Sequence, residues 1–174
     1  MVDKMEAIDP DEIKAKINDE VNEPIEFRGS LIDTLHHYFS IKKEGEPRDE
    51  SLVHWIAACA IYPTLHWDLT MYLGGLLSPD QENLLTTENI TQLHRLDWFK
   101  EGEIPDTVRS ELLDWLEKEH PHILQNVREG LHELLQQNPP PSDSIAWEDY
   151  HVNASFNEWL ITTDNKRKKQ LERE

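Results

Sequence analysis

Between Ser51 and Leu77 the chain carries a single charged side chain, Asp68, although Asp, Glu, Lys and Arg make up 30% of all its residues. A run so poor in charge has to be buried, and the carboxylate-rich segments around it have to supply the cover. It is no membrane span. His54, Pro63, His66 and the pair Gly74-Gly75 interrupt it, and its apolar residues never approach the roughly 20 in succession that a bilayer requires. The run therefore predicts the buried centre of a domain. The 174 residues are one domain's worth of chain, able to bury roughly two thirds of its unfolded surface without disulfide or metal staples.

The spacing of apolar residues on either side of this centre is helical. Asp9-Pro10-Asp11-Glu12 sets a capping Asp before a proline at the first helical position, and Ile13 and Ile17 follow four apart. From about Pro24 to Ile41, the residues Ile25, Leu31, Ile32, Leu35, Tyr38 and Phe39 suit one helical face. In SLVHWIAACAIY the small Ala57, Ala58 and Ala60 should let another helix approach closely, and Pro63 should end or kink the helix. Thr64 to Leu73 predicts a helix that stops at Gly74-Gly75, and Thr87 to Leu93 a short one. Pro105 should open a helix whose apolar side is Val108, Leu112, Leu113, Trp115 and Leu116. His120-Pro121-His122 should interrupt it, and Ile123, Val127, Leu131, Leu134 and Leu135 mark another helix ending before Asn138. No strand alternation and no repeat period occurs. The expected fold is all-α, a compact bundle of about six to eight short and medium helices.

Three units follow: an acidic helical domain over 1–138, a stiff Pro-rich linker over 139–146, and an aromatic and basic helical segment over 147–174, packed on the domain or on a partner. The formal charge of -18 and pI near 4.8 disfavour direct binding to nucleic acid or to an anionic membrane. The acidity is uneven: residues 1–50 hold 14 acids and 7 bases, 101–150 hold 12 and 3, and 151–174 hold 4 and 5. The N-terminal residues alternate acid and base without an apolar h-region, which predicts a cytoplasmic location. The single cysteine, Cys59, lies among alanines and isoleucines, as a small core residue does.

No catalytic motif is found. His132-Glu133-Leu134-Leu135-Gln136 ends in glutamine where a zinc-protease helix needs its second histidine, so it is no HExxH. The pairs His36-His37, His120/His122 and His54/His66 have no ligand spacing, and neither a metal nor a cofactor is expected. His54 and His66 read as core histidines that donate to a carbonyl or to Asp68. There is no G-x-S-x-G elbow and no phosphate loop. What stands out instead is aromatic. Trp98 and Phe99 sit in a corner built by Leu93, Leu96, Gly102 and Pro105, and either plug the core or act as an interaction anchor. Arg95 and Arg109 should hold this corner through ion pairs. Trp147, Tyr150, Phe156 and Trp159 lie beyond the linker, where such rings either pack on the domain or anchor a partner.

RDESLVHWIAACAIYPTLHWDLTMYLG (48–74) and LHRLDWFKEGEIPDTVR (93–109) together resemble a helical module of large bacterial multidomain proteins with signalling or defence architecture. The resemblance covers about a third of the chain, carries no catalytic signature, and implies a module that couples partner domains or subunits. As a short chain standing alone, this protein would then be an adaptor, regulator or inhibitor of a separate partner. The leading expectation is a non-enzymatic protein-interaction factor in a bacterial defence or stress complex, its acidic surface steering it to a partner with a basic patch. Two alternatives are an acidic nucleic-acid mimic that blocks a nucleic-acid-binding protein, and a small hydrolase with a site around His54, His66 and Asp68.

Overall fold

The computed structural model of the chain describes residues 25, 27, 29–40, 49–62, 64–78 and 83–172. The helix expected after Asp9-Pro10 lies outside them. Regular structure among the described residues is helical, with nine α-helices, one more than the upper expectation, a single 3-10 turn and no sheet. No helix among them is long and apolar enough to cross a membrane.

The helices are α1 (Leu31–Phe39), α2 (Ser51–Ala58), α3 (Trp67–Leu76), α4 (Thr87–Leu93), α5 (Asp97–Glu101), α6 (Asp106–Glu119), α7 (Pro121–Gln137), α8 (Ala146–Ile161) and α9 (Asn165–Leu171). The 3-10 turn, Cys59–Ile61, continues α2. Side-chain caps start α1, α4 and α9: Ser30, Thr86 and Asp164 each accept a hydrogen bond from a backbone N–H two or three residues on. Pro105 is the cap residue of α6 and Pro121 the first residue of α7, where its fixed φ suits a helix start and its missing N–H costs nothing.

The first part of the charge-poor run forms the centre, but Thr64, His66, Trp67 and Asp68, expected to be buried with it, are exposed around the start of α3. Val53, Trp55, Ile56, Ala57, Ala58 and Ala60 are completely buried, and α2 packs against α1, α3, α6 and α7. Trp55 satisfies its indole by donating from Nε1 to the Thr70 carbonyl of α3 at 2.8 Å. Contrary to the expected stop at Gly74-Gly75, α3 runs through both glycines to Leu76. A Cβ on Gly74 would lie 2.6 Å from Trp55 ring atoms and from Leu85, so Gly74 serves close packing and not chain termination. The glycine that does end a helix is Gly102, left-handed at φ 77°, whose N–H returns to the Trp98 carbonyl at 2.9 Å after α5.

Between α6 and α7 the chain turns at His120, which caps both helices at φ -133° and ψ 51°. Tyr72 ties α3 to α7 by donating to the Gly130 carbonyl at 3.1 Å. The C-terminal helix α8 lies along α7, where Asn157 is 4% exposed and donates to the Arg128 carbonyl at 2.8 Å, and Tyr150 donates to the Leu135 carbonyl at 3.0 Å. The short α9 packs back on α8, held by a two-pronged Arg167–Glu158 pair at 2.6 and 2.8 Å.

Candidate functional site

Trp98 and Phe99 are 5% and 2% exposed, so both rings belong to the core and offer no surface to a partner. The physical reason lies in the corner itself. Leu93, Leu96 and Ile104 are buried in the same core cluster as the two rings, and at the left-handed Gly102 the chain turns back to the Trp98 carbonyl. Arg109, expected to pair with an acid, donates instead from Nε to the Ala60 carbonyl at 2.8 Å, which caps the end of the α2 segment.

The aromatics beyond the linker behave differently. The spacing of Tyr150, Asn153, Asn157 and Leu160 faces α7, and Tyr150, Asn157 and Leu160 meet it through the bonds above or line the seam beside Arg128 and Leu131. The neighbouring stripe is apolar and uncovered: the cap residue Ile145 is 99%, Val152 63% and Phe156, at the edge of the seam, 59% exposed. Helix α8 thus spends a mixed polar and apolar side on α7 and leaves a neighbouring apolar stripe uncovered. Val152, Phe156 and Trp159 join Leu171 of α9, His151 and Glu172 in lining a groove of about 320 Å³. Phe156 and Trp159 lie parallel with centroids 6.5 Å apart, and Lys168 stands 4.9 Å over the Trp159 ring. Trp147 is half-buried against Tyr150 and His151.

A second assembly of side chains was not foreseen. Glu50 caps α2 without using its side chain on the backbone, and its carboxylate turns to histidines from three places in the chain. His36 Nδ1 on α1 is 3.4 Å from Oε1, His54 Nε2 on α2 is 3.9 Å from Oε2, and His120 Nε2 at the α6–α7 turn is 4.0 Å from Oε2. Trp115 of α6 lines them: the His54 ring stacks on its face at 5.5 Å, and the His120 and His36 rings meet it at 4.6 and 5.6 Å. The His54 pKa is pushed down to about 4, first by burial and then by His120, His122 and His36, while Asp49 acts the other way. His120 is lowered too, chiefly by burial, against the opposing pull of Glu50. His54 is therefore neutral at pH 7 and carries a lone pair, and burial biases His120 toward the same form.

His66 and Asp68, grouped with His54 by sequence, are exposed, and no described hydrogen bond, ion pair or ring contact joins either of them to His54. His54 faces Glu50 and not Asp68 because α2 directs residues four apart to the same side, whereas Asp68 stands in the first turn of α3. The Glu50/His54 spacing was available in the sequence; His120 joins them only through the turn at Pro121. Cys59 is buried, its thiol pushed up to about 12 by burial against a weak contact to Thr70, so it is no nucleophile at neutral pH.

Comparison of the chain with protein-family models, with curated proteins and with solved structures gives no match.

Proposed function

We propose that this chain is a non-enzymatic protein-interaction factor, an adaptor, regulator or inhibitor that works in the cytoplasm. One observation carries the reading: beside the side that α8 spends on α7, an apolar stripe of Val152 and Phe156, continued by the cap residue Ile145, is left exposed next to the Trp159 groove. Aromatic side chains next to a groove are the kind of anchor that supplies most of the energy of an interface. The total charge of -18 favours a partner with a basic patch, while the groove rim itself is mixed, with Glu172 lining it and Lys168 over the Trp159 ring. Residues 48–74 and 93–109, with their resemblance to a module of bacterial signalling and defence proteins, favour a complex of that kind as the setting.

The test uses the full chain as bait in an extract of its own organism at physiological salt, beside Val152→Asp and Phe156→Asp. Both residues are exposed, so the variants should fold as the parent does. A specific protein partner whose binding weakens about 30-fold or more in the variants is the expected result. Recovery of no specific partner, or of the same set at the same strength with both variants, refutes the proposal.

A further inference from the structure

We propose that Glu50, His54 and His120 form a binding site for one divalent cation of the zinc class. One ligand atom from each residue lies within 4.8 Å of those of the other two. The two histidine nitrogens stand 3.9 and 4.0 Å from the same carboxylate oxygen. These separations are too long for direct hydrogen bonds. Around a tetrahedral zinc, with bonds of about 2.0–2.2 Å, ligand atoms sit about 3.3–3.5 Å apart. Closing the site requires each histidine nitrogen to approach the carboxylate oxygen by about half an ångström, and the two histidine nitrogens, within 4.8 Å of each other, to approach by no more than about 1.4 Å, which side-chain rotation supplies.

The donors fit that class of ion. Two imidazole nitrogens and one carboxylate oxygen suit zinc, cobalt, nickel or copper; magnesium and calcium select all-oxygen sets. His54 Nε2 is buried and has no hydrogen-bond partner, an unmet polar atom that a bound ion would satisfy. His36 Nδ1 is likewise buried without a hydrogen bond and stands 3.4 Å from the other carboxylate oxygen, placed to donate to Glu50 once that oxygen settles against an ion. The Trp115 ring, stacked on His54 and edge-on to His120, holds both imidazoles in position. A fourth coordination position is left to water. Such an ion would clamp the start of α2 to the α6–α7 turn. The inference is independent of the exposed face of α8.

The full-length protein, stripped with a chelator, is titrated with zinc against a chromophoric competitor, and with cobalt while its visible absorption is followed. One equivalent of either ion is expected, with the intense d–d absorption of a four- or five-coordinate cobalt centre, and magnesium should neither bind nor compete. Zinc at 100-fold excess over its Kd should raise Tm by about 5–10 °C. His54→Gln and His120→Gln should each weaken binding about 100-fold or more, and His36→Phe about 10-fold, whereas the exposed His94→Gln should leave it unchanged. If His120→Gln does not fold, the cobalt spectrum of the parent protein and of His54→Gln decides. Absence of a stoichiometric site in the parent, or one equivalent kept at parental affinity in His54→Gln, overturns the proposal.

Discussion

The adjacent glycines of α3 should respond to the same substitution with opposite signs. A Cβ on Gly74 would lie 2.6 Å from Cε2 and Cζ2 of Trp55 and 2.6 Å from Cδ2 of Leu85, whereas a Cβ on Gly75 meets nothing closer than Leu85 Cδ1 at 3.8 Å. Neither glycine has a positive φ, so alanine fits the backbone at both. The Leu85 methyl can rotate away, but the indole cannot: Trp55 is completely buried and its Nε1 is bonded to the Thr70 carbonyl. Overpacking of this kind costs about 1–3 kcal/mol. Alanine returns up to about 1 kcal/mol over glycine inside a helix, and less near its end. Gly74→Ala should therefore destabilise the protein by about 1–2 kcal/mol net. Gly75→Ala should stabilise it by about 0.5 kcal/mol. In a domain of this size the two changes move Tm by about -2 to -8 °C and about +1 to +2 °C, read by calorimetry or by circular dichroism on heating. Equal Tm values for the two variants would refute the close-approach reading of Gly74. Full recovery of Gly74→Ala by Leu85→Ala would show that the leucine, and not the indole, forms the wall.

Asn157→Ala removes the bond from α8 to the Arg128 carbonyl and should cost about 1–2 kcal/mol in urea unfolding, while Phe156→Ala, one residue away and 59% exposed, should change stability by no more than about 0.5 kcal/mol. A reversed order would mean that α8 docks by its other side. The Arg167 fork holds the Glu158 carboxyl below its ordinary value of 4.5. Because the folded value lies below the unfolded one, the contribution is fully present above pH 4.5 and is lost as pH falls through the folded value. Amide exchange over residues 165–171, corrected for its intrinsic pH dependence, should accelerate on that acid side. Arg167→Met should exchange fast at neutral pH already and lose most of the dependence, and a parental profile in that variant would contradict the assignment.

Helices were legible where local chemistry and periodicity agreed. Pro105 and Pro121 mark the starts of α6 and α7, and Asn138 follows the end of α7. The pair Gly74-Gly75 misled because glycine has two uses, ending helices and admitting close neighbours, and only the position of Trp55 decides between them. Trp98 and Phe99 were ambiguous for the same kind of reason: an aromatic pair at a corner looks alike whether the corner closes inward or outward. The histidine cluster was half visible. Glu50 and His54 share a helix side by spacing alone, but their approach to His120 and His36 depends on how α6 and α1 pack on α2.

By itself, the sequence determined the all-helical class, the burial centred on 53–60 within the longer run 51–77 expected to be buried, and the surface character of the acids, because these follow from side-chain transfer to water and from backbone preferences that act within a few residues. Tertiary structure decided which side of α8 is spent on α7, which aromatics remain exposed, and which histidines gather around Glu50. Those are relations between helices remote in the chain, set by packing and turn geometry, and no local pattern encodes them.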